Sequence, residues 1–335
     1  MSKWYNSCGK ESDTVISTRV RLARNIAGIP FPSRMSAEQR SEVNQAVKNA
    51  LLSGDNEKKF KYLDMSTLPD ITVMSMVERH LISPEFAQNR EGKALILSDD
   101  ESISIMLCEE DHIRIQVMSA GLAPDEAYAR ANQIDDIIGA KVSYAFNERL
   151  GYLTECPTNL GTGLRASLML HLPALENSGA VSRLSATVNK IGFTIRGTYG
   201  EGSKASAAMY QLSNQVTLGI SEYAAIENLK SIAAQAIAQE RNARAELDPE
   251  SLEDTVFRAL GTLKYARAIS SEEFMKLISH VRLGISSGII KEIPLETAES
   301  LIVEAGAASI QSAAGKPLDA PARDRLRAKI VRERL

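Results

Sequence analysis

Apolar positions recur along this chain with two periods, and the change from one to the other marks its elements. Residues 36–53 follow the helical period: Val43, Val47 and Leu51 form one stripe, Ser36 can cap, and Gln39 completes a capping box. Residues 93–98 and 102–118 follow the strand period. Ile103, Ile105 and Leu107 alternate with Ser104, Met106 and Cys108, and after an acidic turn Ile113, Ile115 and Val117 alternate with Arg114 and Gln116. This predicts a hairpin with one buried and one polar face. Pro124 opens a helix expected to run to about Phe146, with Ala127, Ala131, Ile134, Ile138 and Val142 inward. A further helix is expected over 164–176, strands over 184–196 and 208–219, and a long alanine-rich helix over 221–245. Asp248-Pro249-Glu250 then looks like a linker and a new helix start, and short amphipathic helices follow to Leu335. The expected organisation is therefore two domains, 1–245 and 246–335.

Composition narrows the function classes. With 335 residues, 44% of them hydrophobic, the chain can bury a substantial core, and a formal net charge of −3 lacks the basic excess of a dedicated nucleic-acid binder. Cys8, Cys108 and Cys156 form no Cys-x-x-Cys pair, and their odd number suggests a reducing compartment. The four histidines, 80, 112, 171 and 280, form no zinc-binding spacing. Neither an apolar signal core near Met1 nor a run of ~20 apolar residues is seen, so the expectation is a cytoplasmic protein without membrane contact.

Two glycine loops invite a nucleotide-site reading that their context does not support. Gly161-Thr162-Gly163-Leu164-Arg165-Ala166 fits a dinucleotide pattern but sits mid-chain, with Glu176 too near to be its acidic partner. Gly197 to Lys204 resembles a P-loop, but Ser203 precedes the lysine and no Ser or Thr follows it. Polyphosphate charge then needs another source, and arginine suits it, because its planar fork donates two parallel bonds to phosphate oxygens. Arg19 and Arg21 point to one side of an extended segment, Arg114 lies on the hairpin's polar face, Arg165 would begin a helix whose amides also favour anions, and Arg196 rims a glycine-rich loop. Taken singly, each could equally be a surface ion pair. Glu109, Glu110 and Asp111 could be a solvated turn, and Glu201 an ordinary loop residue. Together, two carboxylates beside several arginines could clamp a guanidinium and orient it toward a phosphoryl group.

The segments Ser17-Thr18-Arg19-Val20-Arg21, Glu109-Glu110-Asp111-His112-Ile113-Arg114, Cys156-Pro157-Thr158-Asn159-Leu160-Gly161-Thr162-Gly163-Leu164-Arg165 and Arg196-Gly197-Thr198-Tyr199-Gly200-Glu201 resemble, in order, those of the phosphagen (guanidino) kinases. Within that family the chain resembles the bacterial protein-arginine kinase branch. Ser17 lies too near the first residue for the leading helical domain of the small-molecule branch, and the helical region after residue 246 ends in Arg323-Asp324-x-x-Arg327-Ala328, similar to a phosphoarginine-binding signature.

The resemblance implies an α+β catalytic fold, an antiparallel sheet flanked by helices, with a C-terminal all-helical dimerisation domain. It implies ATP with Mg2+, and protein arginine as acceptor. Ser17, Thr18, Arg19, Val20, Arg21, His80, Arg114, Arg165, Ala166, Ser167, Leu168, Met169, Arg196, Gly197, Thr198, Tyr199, Gly200 and Glu201 match nucleotide-binding segments; His80 could equally be a core histidine. Glu110 and Glu201 match the catalytic carboxylates, Glu109 and Cys156 fall at substrate-binding positions, and Arg323, Asp324, Arg327 and Ala328 match the allosteric phosphoarginine site. Cys156 could also be a small residue buried before a proline. The resemblance further implies a Clp-type unfoldase, a heat-shock repressor and a zinc-binding activator as partners, in a homodimer or larger assembly. A kinase for free arginine or another small guanidine, a non-catalytic phosphoarginine adaptor and an unrelated helical binding protein are the alternatives.

Overall fold

The computed structural model describes residues 2–53, 57–197 and 207–335. Eight described strands form one antiparallel sheet: β1 (Val15–Arg24), β2 (Phe60–Asp64), β3 (Ala94–Ser98), β4 (Ile103–Leu107), β5 (Ile113–Ala120), β8 (Leu164–His171), β9 (Phe193–Gly197) and β10 (Met209–Asn214). Their order is β2-β3-β4-β5-β1-β8-β10-β9, so β1 is central, and β6 (Phe146–Asn147) pairs with β7 (Gly151–Tyr152) apart from it. The alternation of β1, β5 and β8 puts Val20, Leu22, Ile115, Val117, Ala166 and Leu168 on one face, all fully buried. Against that face lie α1 (Ala37–Leu51), α3 (Pro124–Gly139), α4 (Pro173–Asn177), α5 (Val181–Asn189) and α6 (Glu222–Ala245), in one continuous core.

The capping box at Ser36 and Gln39 forms as expected, and α6 runs almost as predicted. Three expectations are corrected. Residues 164–176 are strand β8 followed by the short α4, because Leu164, Ala166, Leu168 and Leu170 alternate with Arg165, Ser167, Met169 and His171 in the middle of a sheet. Arg165 therefore begins no helix. Residues 181–189 form α5, and only Phe193–Gly197 of the predicted 184–196 strand is extended. The helix from Pro124 ends at Gly139, seven residues before Phe146.

Among the described residues, α2 (Asp70–Glu78) and the loop after it cover one part of the sheet's second face. Over β3 and β4, Val73, Met76, Leu81 and Phe86 pack on Leu95, Leu97 and Met106. Both faces of β4 are buried, so the hairpin's polar side is not open along its length. The cover reaches β5, where Gln116 Nε2 donates to the His80 carbonyl at 2.7 Å.

The C-terminal helices are α7 (Pro249–Tyr265), α8 (Ser271–Ser286), α9 (Leu295–Glu304), α10 (Ala307–Ala314) and α11 (Ala320–Arg334). They build a core of their own around Leu263, Phe274, Val281, Leu301 and Val331. Buried polar groups tie them to the sheet. Arg282 of α8 donates to Glu299 (2.9 Å), to the Asp13 carbonyl (3.1 Å) and to His171 Nδ1 (2.9 Å). Glu78 of α2 accepts from the amides of Ala308 (2.8 Å) and Ser309 (2.7 Å), capping α10. Among the described residues no helix is long and apolar enough to cross a membrane.

Candidate active site

The part of the second face beyond α2 is where the predicted arginines gather. Arg21 stands opposite Gln116 on β5 and Arg165 on β8, Arg19 stands opposite Met118 and Ser167, and Arg114 is paired with Ala23. Arg196, on β9, is paired with Gln211 of β10, which is paired with Met169. Because facing residues share a face, Arg19, Arg21, Arg114, Arg165 and Arg196 all project from one side of five adjacent strands.

This concentration of positive charge shows in the titration of its members. Burial, then repulsion from Arg114, pulls Arg19 down to about 10. Burial, then Arg19, Arg114 and Arg165, holds Arg21 well below the usual arginine range, and burial and Arg196 lower Arg165. Arg21 Nε is buried without a hydrogen-bond partner among the described residues. Arg114 goes the other way: burial opposes its charge, but Glu109, Glu110 and Asp111 outweigh it. A face holding charged donors in excess of acceptors is a site for a polyanion.

Two carboxylates sit at one edge of this face, in different states. Glu109 is almost fully buried, engaged by Arg114 Nη1 and by the Ser83 hydroxyl. It holds Arg114 and also lines an open cleft beside Glu110. Glu110, 41% exposed at the side chain, accepts from Arg114 Nη2 at 2.6 Å and from Asn159 Nδ2 at 3.4 Å. The turn that presents it is anchored by its neighbours. Asp111 accepts from Asn25 Nδ2 (2.7 Å) and the Glu155 amide (2.9 Å), while His112 accepts from the Ile26 amide at Nδ1 (2.9 Å) and donates from Nε2 to the Pro30 carbonyl (2.7 Å).

The segment after Cys156 links the two groups. Arg165 Nε donates to Asn159 Oδ1 (3.4 Å), Arg165 Nη2 to Thr158 Oγ1 (3.3 Å), and Cys156 Sγ lies 3.0 Å from Thr158 Oγ1. The glycines of this segment serve backbone crossing. Gly161 has φ +106° and Gly163 +64°, and a Cβ there would meet the Thr217 carbonyl oxygen at 2.3 Å and that of Ala23 at 2.6 Å. Thr158 and Asn159 were not singled out from the sequence as site residues, although both stand in the quoted motif.

Several expected nucleotide contacts face elsewhere. Thr18 donates to the Gly121 carbonyl (2.6 Å) on the helix-covered side, and Val20, Ala166 and Leu168 are fully buried in that core. The strand period removes their side chains from the arginine face; Ser17, Ser167 and Met169 remain on it. His80 follows α2 with φ +59°, and burial with repulsion from Arg19 takes its pKa down to about 4, so the ring is neutral. Thr198, Tyr199, Gly200 and Glu201 lie outside the described residues; Gly197 ends β9.

The second predicted site divides in two. Arg323 and Asp324 are partly exposed on α11, but Arg327 and Ala328 are buried. Arg327 donates to Asp324 (2.7 Å) and to the carbonyls of Ile269 (2.8 Å) and Ala305 (2.9 Å), so its guanidinium clamps helices.

Two hollows flank the arginine face. An open cleft of about 920 Å³ lies by Glu109, Glu110, Glu155 and Cys156, and a cavity of about 320 Å³ lies at the opposite end, by Ser17, Arg19, His80 and Ser167.

Sheet, arginine face and acidic edge define a guanidino phosphotransferase catalytic fold. Lombricine kinase shares it, with 25% identity and a TM-score of 0.64 over 72% of this chain and 70% of that one. So does the duplicated taurocyamine kinase of Schistosoma mansoni, with 26% identity and a TM-score of 0.63 over 72% and 36%. Residues 42–243 match the family described as ATP:guanido phosphotransferase, C-terminal catalytic domain, and residues 249–335 match the protein-arginine kinase McsB C-terminal domain. The chain is 44% identical to the protein-arginine kinase of Pelotomaculum thermopropionicum, over 99% of this chain and 95% of that protein, and 47% identical to that of Clostridium kluyveri, over 100% and 99%. It belongs to the protein-arginine kinase family.

Proposed function

We propose that this chain transfers the γ-phosphoryl group of ATP to the guanidinium of arginine side chains in proteins. The observation that carries the proposal is the convergence of Arg19, Arg21, Arg114 and Arg165 on one sheet face, with Glu110 at its edge. In this reading Arg19, Arg21 and Arg165 bind the phosphate chain, and Arg114, held by Glu109, sits nearest the transferred group. The P–O bond to the ADP leaving oxygen breaks as a P–N bond to the acceptor nitrogen forms, and that nitrogen loses a proton. Because a guanidinium has a pKa above ~12, its proton leaves late, with Glu110 orienting the nitrogen and receiving the proton. Most of the acceleration then comes from positioning and fixed positive charge. Glu201 is assigned as the second carboxylate on its motif alone. Magnesium fits as a companion of the nucleotide: the arginine face offers donors, and Mg2+ can keep phosphate oxygens and water as ligands.

A protein acceptor is supported by the full-length relatives and by the open cleft beside Glu110, which lies at the upper end of the ~300–1,000 Å³ range of ligand pockets. Family membership is also what supports the wider proposal: cytoplasmic marking of damaged proteins for a Clp-type unfoldase, control of a heat-shock repressor, a zinc-binding activator, a dimer or larger assembly, 1–245 and 246–335 as its two domains, and feedback through phosphoarginine at Arg323 and Asp324. Incubation with ATP and either an arginine-rich protein or free arginine, followed by mass spectrometry for acid-labile phosphate, tests the activity. Phosphate on free arginine alone would transfer the assignment to a small-guanidine kinase, and none on either would refute it.

A further inference from the structure

Glu78 ends α2, but its side chain serves another part of the fold. Its Oε1 accepts from the Ala308 amide (2.8 Å), and its Oε2 from the Ala308 amide (2.9 Å), the Ser309 amide (2.7 Å) and the Ser309 hydroxyl (2.9 Å). The free amides and the dipole at the start of α10 favour such a charge. No slack remains, since a Cβ on Gly306 would run into the carboxylate. Behind this contact α11 braces α10: Arg327 donates to the Ala305 carbonyl in the turn before it (2.9 Å).

Two residues after Glu78 the chain reaches the arginine face. The end of α2 is closed by bonds from the His80 amide to the Val77 carbonyl (3.0 Å) and from the Leu81 amide to the Met76 carbonyl (2.9 Å). That closure puts His80 in the left-handed region, at φ +59°, where glycine is usual. A histidine there carries a backbone cost that persists only where its surroundings fix it. From the sheet, Gln116 Nε2 of β5 holds the His80 carbonyl (2.7 Å). From the C-terminal helices, α10 holds Glu78 and so the turn that leads to His80. The His80 ring stands near enough to Arg19 to feel its charge, and both line the smaller cavity. Resting on the ATP reading above, we infer that Glu78 is a positioning residue for nucleotide binding: by gripping α10 it fixes the end of α2, and with it His80, against Arg19. The C-terminal helices then influence nucleotide affinity through this one contact.

Calorimetric titration of the full-length chain with ATP, arranged as a double-mutant cycle, tests this. Glu78→Gln keeps the shape of the side chain and removes its charge, and should weaken ATP about three- to tenfold. Gly306→Ala displaces the carboxylate from the other side and should weaken ATP too. His80→Ala should weaken ATP about tenfold, and adding Glu78→Gln to it should cost nothing further, because the effect of Glu78 passes through His80. Additive losses overturn the inference. So does normal ATP affinity in Glu78→Gln with a lowered thermal midpoint, which would make Glu78 a helix cap and no more. Glu78→Gln carries the test should Gly306→Ala not fold. Arg21→Gln is the control for the ATP reading itself: if it and His80→Ala both bind ATP normally, the arginine face is no nucleotide site.

Discussion

Arg21 on β1 and Arg165 on β8 face each other directly across the sheet, like charge against like charge. Facing pairs on adjacent strands lie close enough that like charges destabilise the sheet. The arrangement is therefore a cost to the ligand-free protein that a bound polyanion relieves. Arg21→Gln should raise the thermal midpoint of the ligand-free protein and weaken ATP about 10- to 100-fold, since bonds between charged groups contribute ~1.5–3 kcal/mol. Paired thermal-shift and titration measurements check both signs; a lower midpoint would show that Arg21 is structural.

Glu110 is the exposed carboxylate of the acidic turn and Glu109 the buried one, so their substitutions should differ. Glu110→Gln should lower kcat about 100-fold or more while ATP binds normally. Glu109→Gln should instead loosen Arg114 and raise the KM for ATP. Steady-state kinetics of the two variants would reverse the assignment if the effects were exchanged.

Arg24 is fully buried against α3, 2.8 Å from Asp135, with its guanidinium 3.5 Å from the Tyr152 ring centre. It is on the opposite face from Arg19 and Arg21 and belongs to the scaffold. Removing Asp135 leaves that charge without its main partner, so Asp135→Ala should cost ~3–5 kcal/mol in urea unfolding. A loss below about 1 kcal/mol would mean that Glu222, 3.5 Å away, compensates.

Arg323 and Arg327 share a motif but not an environment. Arg327→Ala should lower the thermal midpoint by freeing the Ile269 and Ala305 carbonyls. Arg323→Ala should leave the midpoint unchanged and abolish phosphoarginine binding, read by calorimetry. Unaltered binding would remove Arg323 from the proposed site.

His171 is buried between Arg282 and Ser279, and burial with the nearby Arg282 charge holds its pKa well below 6.5. The unfolded chain then takes up a proton near pH 6.5 that the folded chain does not. Its contribution to stability is present above that pH and is lost as the pH falls through it. Urea midpoints should drop from pH 7 toward pH 5, and His171→Gln should flatten that drop; an unchanged slope would assign it to other groups.

The strand period is readable for β4, where Ile alternates with Ser and Met, and for β5, where Ile and Val alternate with Arg and Gln, but not for β8. There Leu, Ala and Met, good helix formers, mask an alternation that burial in the sheet makes decisive. The same error put Arg165 at a helix start. Thr18, Val20, Ala166 and Leu168 stand within the matched segments, yet the pleat sends their side chains to the other face.

By its residues alone the chain determined its chemistry: guanidiniums and carboxylates in a fixed order, spaced on extended segments, which is enough to name a family because those side-chain charges are local properties. What only the tertiary structure decided is which charges meet. Register across β5, β1 and β8 sets Arg114, Arg21 and Arg165 side by side although they lie far apart in the chain. Among the described residues the cover of α2 and the loop after it reaches β5, and the packing of α8 and α9 sets a hydrophobic wall beside the arginines. These are long-range contacts, and no local pattern records them, because each depends on where a distant strand or helix packs.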